Sequence, residues 1–128
     1  MSARITRGIS ASLGAAMVLV IASVADAHHS FAMFDKNRLL TVSGVVGKVE
    51  WTNPHVFIYV DSPDKSGPVR YSMECGSISI LTRAGWKIST AKVGDPIQVQ
   101  YFPLKSGKPG GLLEQVKLKN GTVLKGLP

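Results

Sequence analysis

The sequence predicts a mainly β domain: a small five- to six-stranded OB-like Greek-key barrel with one short helix between strands three and four. Three observations predict it. Short valine-rich segments with period-two alternation recur between turn signals, which is how half-buried strands read. A single stretch near residue 80 has helical spacing. Its position, after three strands and before two more and a terminal extension, is the order of the five-stranded OB barrel. An open sandwich with the same strand order is the alternative.

The first strand is Thr41 to Trp51 (TVSGVVGKVEW), where Gly44 and Gly47 suit a coiled or bulged strand. Simple alternation puts Val45, Val49 and Trp51 on one face and Val46, Lys48 and Glu50 on the other. Asn53-Pro54 makes a turn. His55 to Asp61 (HVFIYVD) alternates Val56, Ile58 and Val60 against His55, Phe57 and Tyr59. Both faces are apolar enough to expect cover on each side, and Phe31 and Phe34 are candidates for it. After the loop DSPDKSG, Val69 to Cys75 sets Val69, Tyr71, Met73 and Cys75 against Arg70, Ser72 and Glu74. Cys75 ends the apolar row, so it reads as a buried core thiol. The competing reading makes Met73 and Cys75 soft copper ligands.

Ser77 to Trp86 (SISILTRAGW) is the helix, two or three turns long. Ser77 is its cap, Ile78, Leu81 and Ala84 form its inner side, and Gly85 ends it. Ile97 to Phe102 (IQVQYF) alternates as a strand. PLKSGKPGG reads as a flexible loop, Leu112 to Lys119 alternates again, and Asn120-Gly121 signals a hairpin into a short final strand.

Ahead of this domain, Arg4 and Arg7 precede an uncharged run from Gly8 to Ala25, and small residues follow at Ser23, Ala25 and Ala27. Positive start, apolar middle and small-residue exit describe a secretory signal peptide over residues 1–27. An uncleaved anchor helix is the alternative, weakened by the Ala, Ser and Gly content. Residues 28–40 then form an N-terminal segment with a histidine pair, and 41–128 the barrel. Removing residues 1–27 from the 128 leaves 101, enough for one core. Two of the 15 basic and one of the 8 acidic residues leave with them, so the remainder carries +6. Export to the periplasm or beyond is therefore expected, with no membrane-spanning helix left in the mature chain. Such a charge suits anionic surfaces such as phospholipid heads or envelope polymers, with no specific nucleic acid expected. The lysines are spread from Lys36 to Lys125 with no block of like charge, so a scattered basic surface is the favoured reading. A single cysteine means that packing, not a disulfide, holds the domain.

All three histidines lie at two points: His28 and His29 at the expected new terminus, and His55 after the turn WTNPH. Neutral imidazole suits zinc, copper and nickel. Cleavage after Ala27 would give His28 a free amine beside its ring, and His29 or His55 would complete a T-shaped copper site, a histidine brace. Cleavage after Ala25 would give Asp26-Ala27-His28, whose amine, two backbone nitrogens and imidazole make a square-planar Cu(II) or Ni(II) site. The bland alternative is a solvated terminus with adventitious metal affinity.

A second candidate is a metal-free binding groove. In an OB barrel the loop after strand one and the face of strands two and three form the groove. That makes Trp51, Asn53, Phe57, Tyr59 and Arg70 candidate ligand contacts, the rings as stacking platforms and Arg70 as the cation. In the bland reading Asn53 bonds its own turn and the rings are simply packed. No phosphate loop, paired carboxylates or nucleophile motif is present, so catalysis is not expected. A subunit of a membrane redox or transport system is a third possibility.

The segments AHHSFAMFD (27–35), GVVGKVEWTNPHVFIYVD (44–61), RAGW (83–86) and VGDPIQVQ (93–100) resemble a bacterial exported family of unknown function, the domain of unknown function 6152 family. Its markers are HHSF and W-x-N-P-H, which fall here on His28, His29, Ser30, Phe31, Trp51, Asn53, Pro54 and His55. The resemblance implies export and one small domain, and transfers no activity.

Overall fold

The computed structural model describes residues 31–127, and its compact unit begins at Phe34. Six strands run β1 (Leu40–Glu50), β2 (Phe57–Ser62), β3 (Val69–Glu74), β4 (Pro96–Pro103), β5 (Gly110–Leu118) and β6 (Val123–Lys125). The helix α1 (Ile78–Arg83) lies between β3 and β4. The sheet order is β3-β2-β1-β4-β5-β6, and a parallel pairing of β3 with β5 closes the first five strands into a barrel. The other pairings are antiparallel, and β6 is the extra strand beyond the closure. The expected OB-like order, with its helix between strands three and four, is what this chain forms.

Alternation fills the barrel as expected on β2, β3 and β4. Ile58 and Val60, Met73, and Val99 are fully buried, with Ile97 and Tyr101 nearly so. Each buried aliphatic of this kind stabilises the fold by about 1.5–3 kcal/mol. The helix is shorter than expected. Ser77 Oγ accepts from Ile80 N at 3.3 Å, and Gly85, at φ +94°, takes the left-handed turn after it. Leu81 is buried, with Ile78 and Ala84 packed beside it. Trp86 follows into the core, and its Nε1 donates to Lys125 O at 2.7 Å.

Three expectations need correction. In β1 the register against β2 slips between Val46 and Lys48. Val46 is therefore buried and Val45 43% exposed, the reverse of simple alternation, while Val49 and Trp51 still face inward. Gly47 absorbs the extra residue, and any bulge reverses side-chain parity beyond it. In β5 a second slip lies opposite Gln100/Tyr101, so Leu112 and Leu113 are both buried. Finally, Gly110 and Gly111, read as loop, begin β5 and make the closure. A Cβ on Gly110 would meet the Ser72 backbone, and one on Gly111 the Phe102 carbonyl. Phe34 is buried, bridged to Leu104 beyond the end of β4. Among the described residues no helix is long and apolar enough to cross a membrane.

Candidate functional site

The segment Trp51-Thr52-Asn53-Pro54-His55 connects β1 to β2. Trp51 keeps the inward parity set by the bulge and packs partly against the core. The Asn53–Pro54 peptide is cis. Asn53 Oδ1 reaches across to accept from Ile78 N at 3.1 Å, so it caps the first turn of α1 instead of closing its own turn. Val56 N donates to Gly76 O and Cys75 N to Val56 O, which carries the β2–β3 ladder one step further. That step fixes His55 beside the end of β3.

His55 Nδ1 lies 3.1 Å from Cys75 O and 3.4 Å from Glu74 Oε1. A carbonyl only accepts, so Nδ1 carries the proton and donates. In the neutral ring the lone pair is then on Nε2, in a side chain that is 37% exposed. A backbone carbonyl on one ring nitrogen is the arrangement that orients metal-binding histidines. Glu74, 14% exposed, is a site residue that the sequence reading did not single out. The alternation of β3 placed it outward, but only the hairpin register puts it next to His55.

Phe57 and Tyr59 continue the outward row. Both are half-buried, with ring centroids 6.4 Å apart and planes 27° from parallel. Tyr59 OH donates to Glu50 Oε2 at 3.2 Å, and Lys48 Nζ sits 5.3 Å from the Tyr59 ring while pairing with Glu50. Phe57 stands directly between Glu50 and Glu74 in the register. Arg70 is bidentate on Asp61, at 2.7 and 2.8 Å. Hydrogen bonding from Lys48 holds the Glu50 carboxyl below its usual range, and Arg70 does the same for Asp61. The face thus carries Glu50, Asp61 and Glu74 against Lys48 and Arg70, with the Arg70 fork already committed. It is a poor platform for anions.

The thiol of Cys75 is fully buried, and burial first, then the neighbouring Glu74 charge, pushes its pKa up. Met73 is equally enclosed. Neither sulfur is accessible to a metal without opening the core. His28 and His29 lie outside the described residues. Among the described residues no three His, Cys, Asp or Glu side chains converge on a metal position. The site candidates therefore separate into the His55–Glu74 corner and the Phe57–Tyr59 face beside it, with Trp51 and Asn53 serving the core and the helix cap.

No curated protein and no solved structure matches the chain. A family model described as "Family of unknown function (DUF6152)" matches residues 15–115, which is most of the 128. The chain belongs to this family.

Proposed function

We propose that this protein is an exported small β-barrel that binds a copper ion, with His55 Nε2 as the barrel's donor and His28 and His29 supplying the others. The observation that carries the reading is the His55 Nδ1 contact to Cys75 O at 3.1 Å, which leaves Nε2 as the lone-pair nitrogen of a partly exposed ring. Export is supported by Arg4 and Arg7, the uncharged run to Ala25 and the small residues before His28. A new terminus at His28 would add an amine to an imidazole on one residue, and a nitrogen-only set suits Cu(II). A metal-free module for an anionic envelope ligand is the competing reading. The half-buried Phe57–Tyr59 pair favours it, while the three carboxylates of that face and the Asp61–Arg70 pair oppose it.

The test is calorimetric titration of Cu(II) into protein purified as its native host processes it, with the terminus fixed by mass. One ion per chain is expected, with affinity at least tenfold weaker in His55→Ala and in protein whose N-terminal amine has been acetylated. Equal affinities in all three would exclude the reading.

A further inference from the structure

The connection from Trp86 to β4 contains one turn built twice. In Lys87-Ile88-Ser89-Thr90, Thr90 N donates to Lys87 O at 2.9 Å and Thr90 Oγ1 accepts from Lys87 N at 2.7 Å. In Lys92-Val93-Gly94-Asp95, Asp95 N donates to Lys92 O at 3.0 Å and Asp95 Oδ2 accepts from Lys92 N at 3.4 Å. Each turn opens on a lysine and carries a branched aliphatic at its tip. Ile88 is 70% and Val93 69% exposed.

One exposed aliphatic on a surface is ordinary. Two at equivalent positions of matching turns, each beside a lysine, form a pattern that packing does not explain. The turns are held firmly. Buried Ala91 anchors the chain between them, and Gly94 N and Asp95 O bond to Val46. Thr90 and Asp95, the last residues of the two turns, line one small cavity with Lys119 and Asn120, so both tips spring from the same end of the barrel. Asp95 is the loop's one acid, and Lys119 Nζ bonds it at 3.1 Å.

We infer that these paired tips are an interaction surface for a membrane whose headgroups are anionic, Ile88 and Val93 entering between the headgroups while Lys87 and Lys92 meet phosphates. Charge decides the occupant. Lys87 and Lys92, beside one acid already bonded by Lys119, match an anionic surface, in keeping with the net +6 of residues 28–128. A protein partner would call for a broad patch centred on aromatic or arginine anchors, and the loop has neither. This inference is independent of copper binding.

The experiment is vesicle flotation with protein purified as its host processes it. One set of vesicles is pure phosphatidylcholine, and the other is equal parts phosphatidylglycerol and phosphatidylcholine. Binding is expected to the anionic set only and to weaken with added salt. Each lysine removed should lower partitioning roughly fivefold, so Lys87→Gln with Lys92→Gln should lower it about 25-fold. Ile88→Ser with Val93→Ser should lower it at least tenfold. Melting temperatures close to wild type, expected for exposed positions, would show the variants folded. The inference is overturned by binding to neither set, by equal binding to both, or by variants that bind as wild type does. It is equally overturned if wild type self-associates in sedimentation and the Ser variants do not, which would assign the tips to a second copy of the chain.

Discussion

Single residues decide more here than their type suggests. Gly44 and Gly47 both sit in β1, yet a Cβ on Gly44 would meet the Asp61 main-chain carbonyl, whereas one on Gly47 would meet the movable ends of Asp61 and Arg70. Gly44→Ala should therefore cost about 1–3 kcal/mol by forcing β1 and β2 apart. Gly47→Ala should cost less than half of that, as read by urea unfolding. Equal losses would mean that β1 does not approach β2 in this way. Cys75 yields a second prediction. Its thiol is enclosed and its pKa raised, so both access and thiolate are lacking. A disulfide reagent should leave the native protein unmodified over hours and titrate one thiol per chain at once in denaturant. Prompt native reaction would contradict the packing of β3.

At the scale of elements, what was legible in the sequence depended on unbroken periodicity. β2, β3 and β4 alternate without interruption, and their inner and outer rows followed from that alone. β1 and β5 each contain a slip, at Gly47 and near Glu114, and a slip inverts every face assignment on one side of it. Val45 and Val46 were therefore unreadable in isolation. The His55–Glu74 contact was hidden for a related reason, since neither residue's own strand specifies the other's register. The outward pairs Asp61–Arg70 and Asp95–Lys119 make a testable contribution at this scale. Both carboxyls are held below the ordinary aspartate value of 3.8 by hydrogen bonds from their partners. A lowered folded pKa means stability that is present above 3.8 and lost as pH falls through the lower folded values. The urea midpoint should thus show no loss from these pairs between neutral pH and about pH 5 and should drop in stronger acid, less so in Asp61→Asn. A midpoint that rises on acidification would have the wrong sign for these pairs.

For the whole molecule, the order of elements predicted a barrel, but not which residues close β3 on β5, because Gly110 and Gly111 have no side chains to carry a pattern. The order of elements around it was legible because turn signals separate every strand. That closed barrel carries a histidine corner at the β1–β2 connection and lysine-flanked tips at the α1–β4 connection. At the first we propose copper coordination. Electron paramagnetic resonance of the natively processed protein loaded with one equivalent of Cu(II) tests it most directly. The prediction is a nitrogen-rich spectrum whose hyperfine pattern loses one coordinated imidazole in His55→Ala; superimposable spectra from the two proteins would contradict it.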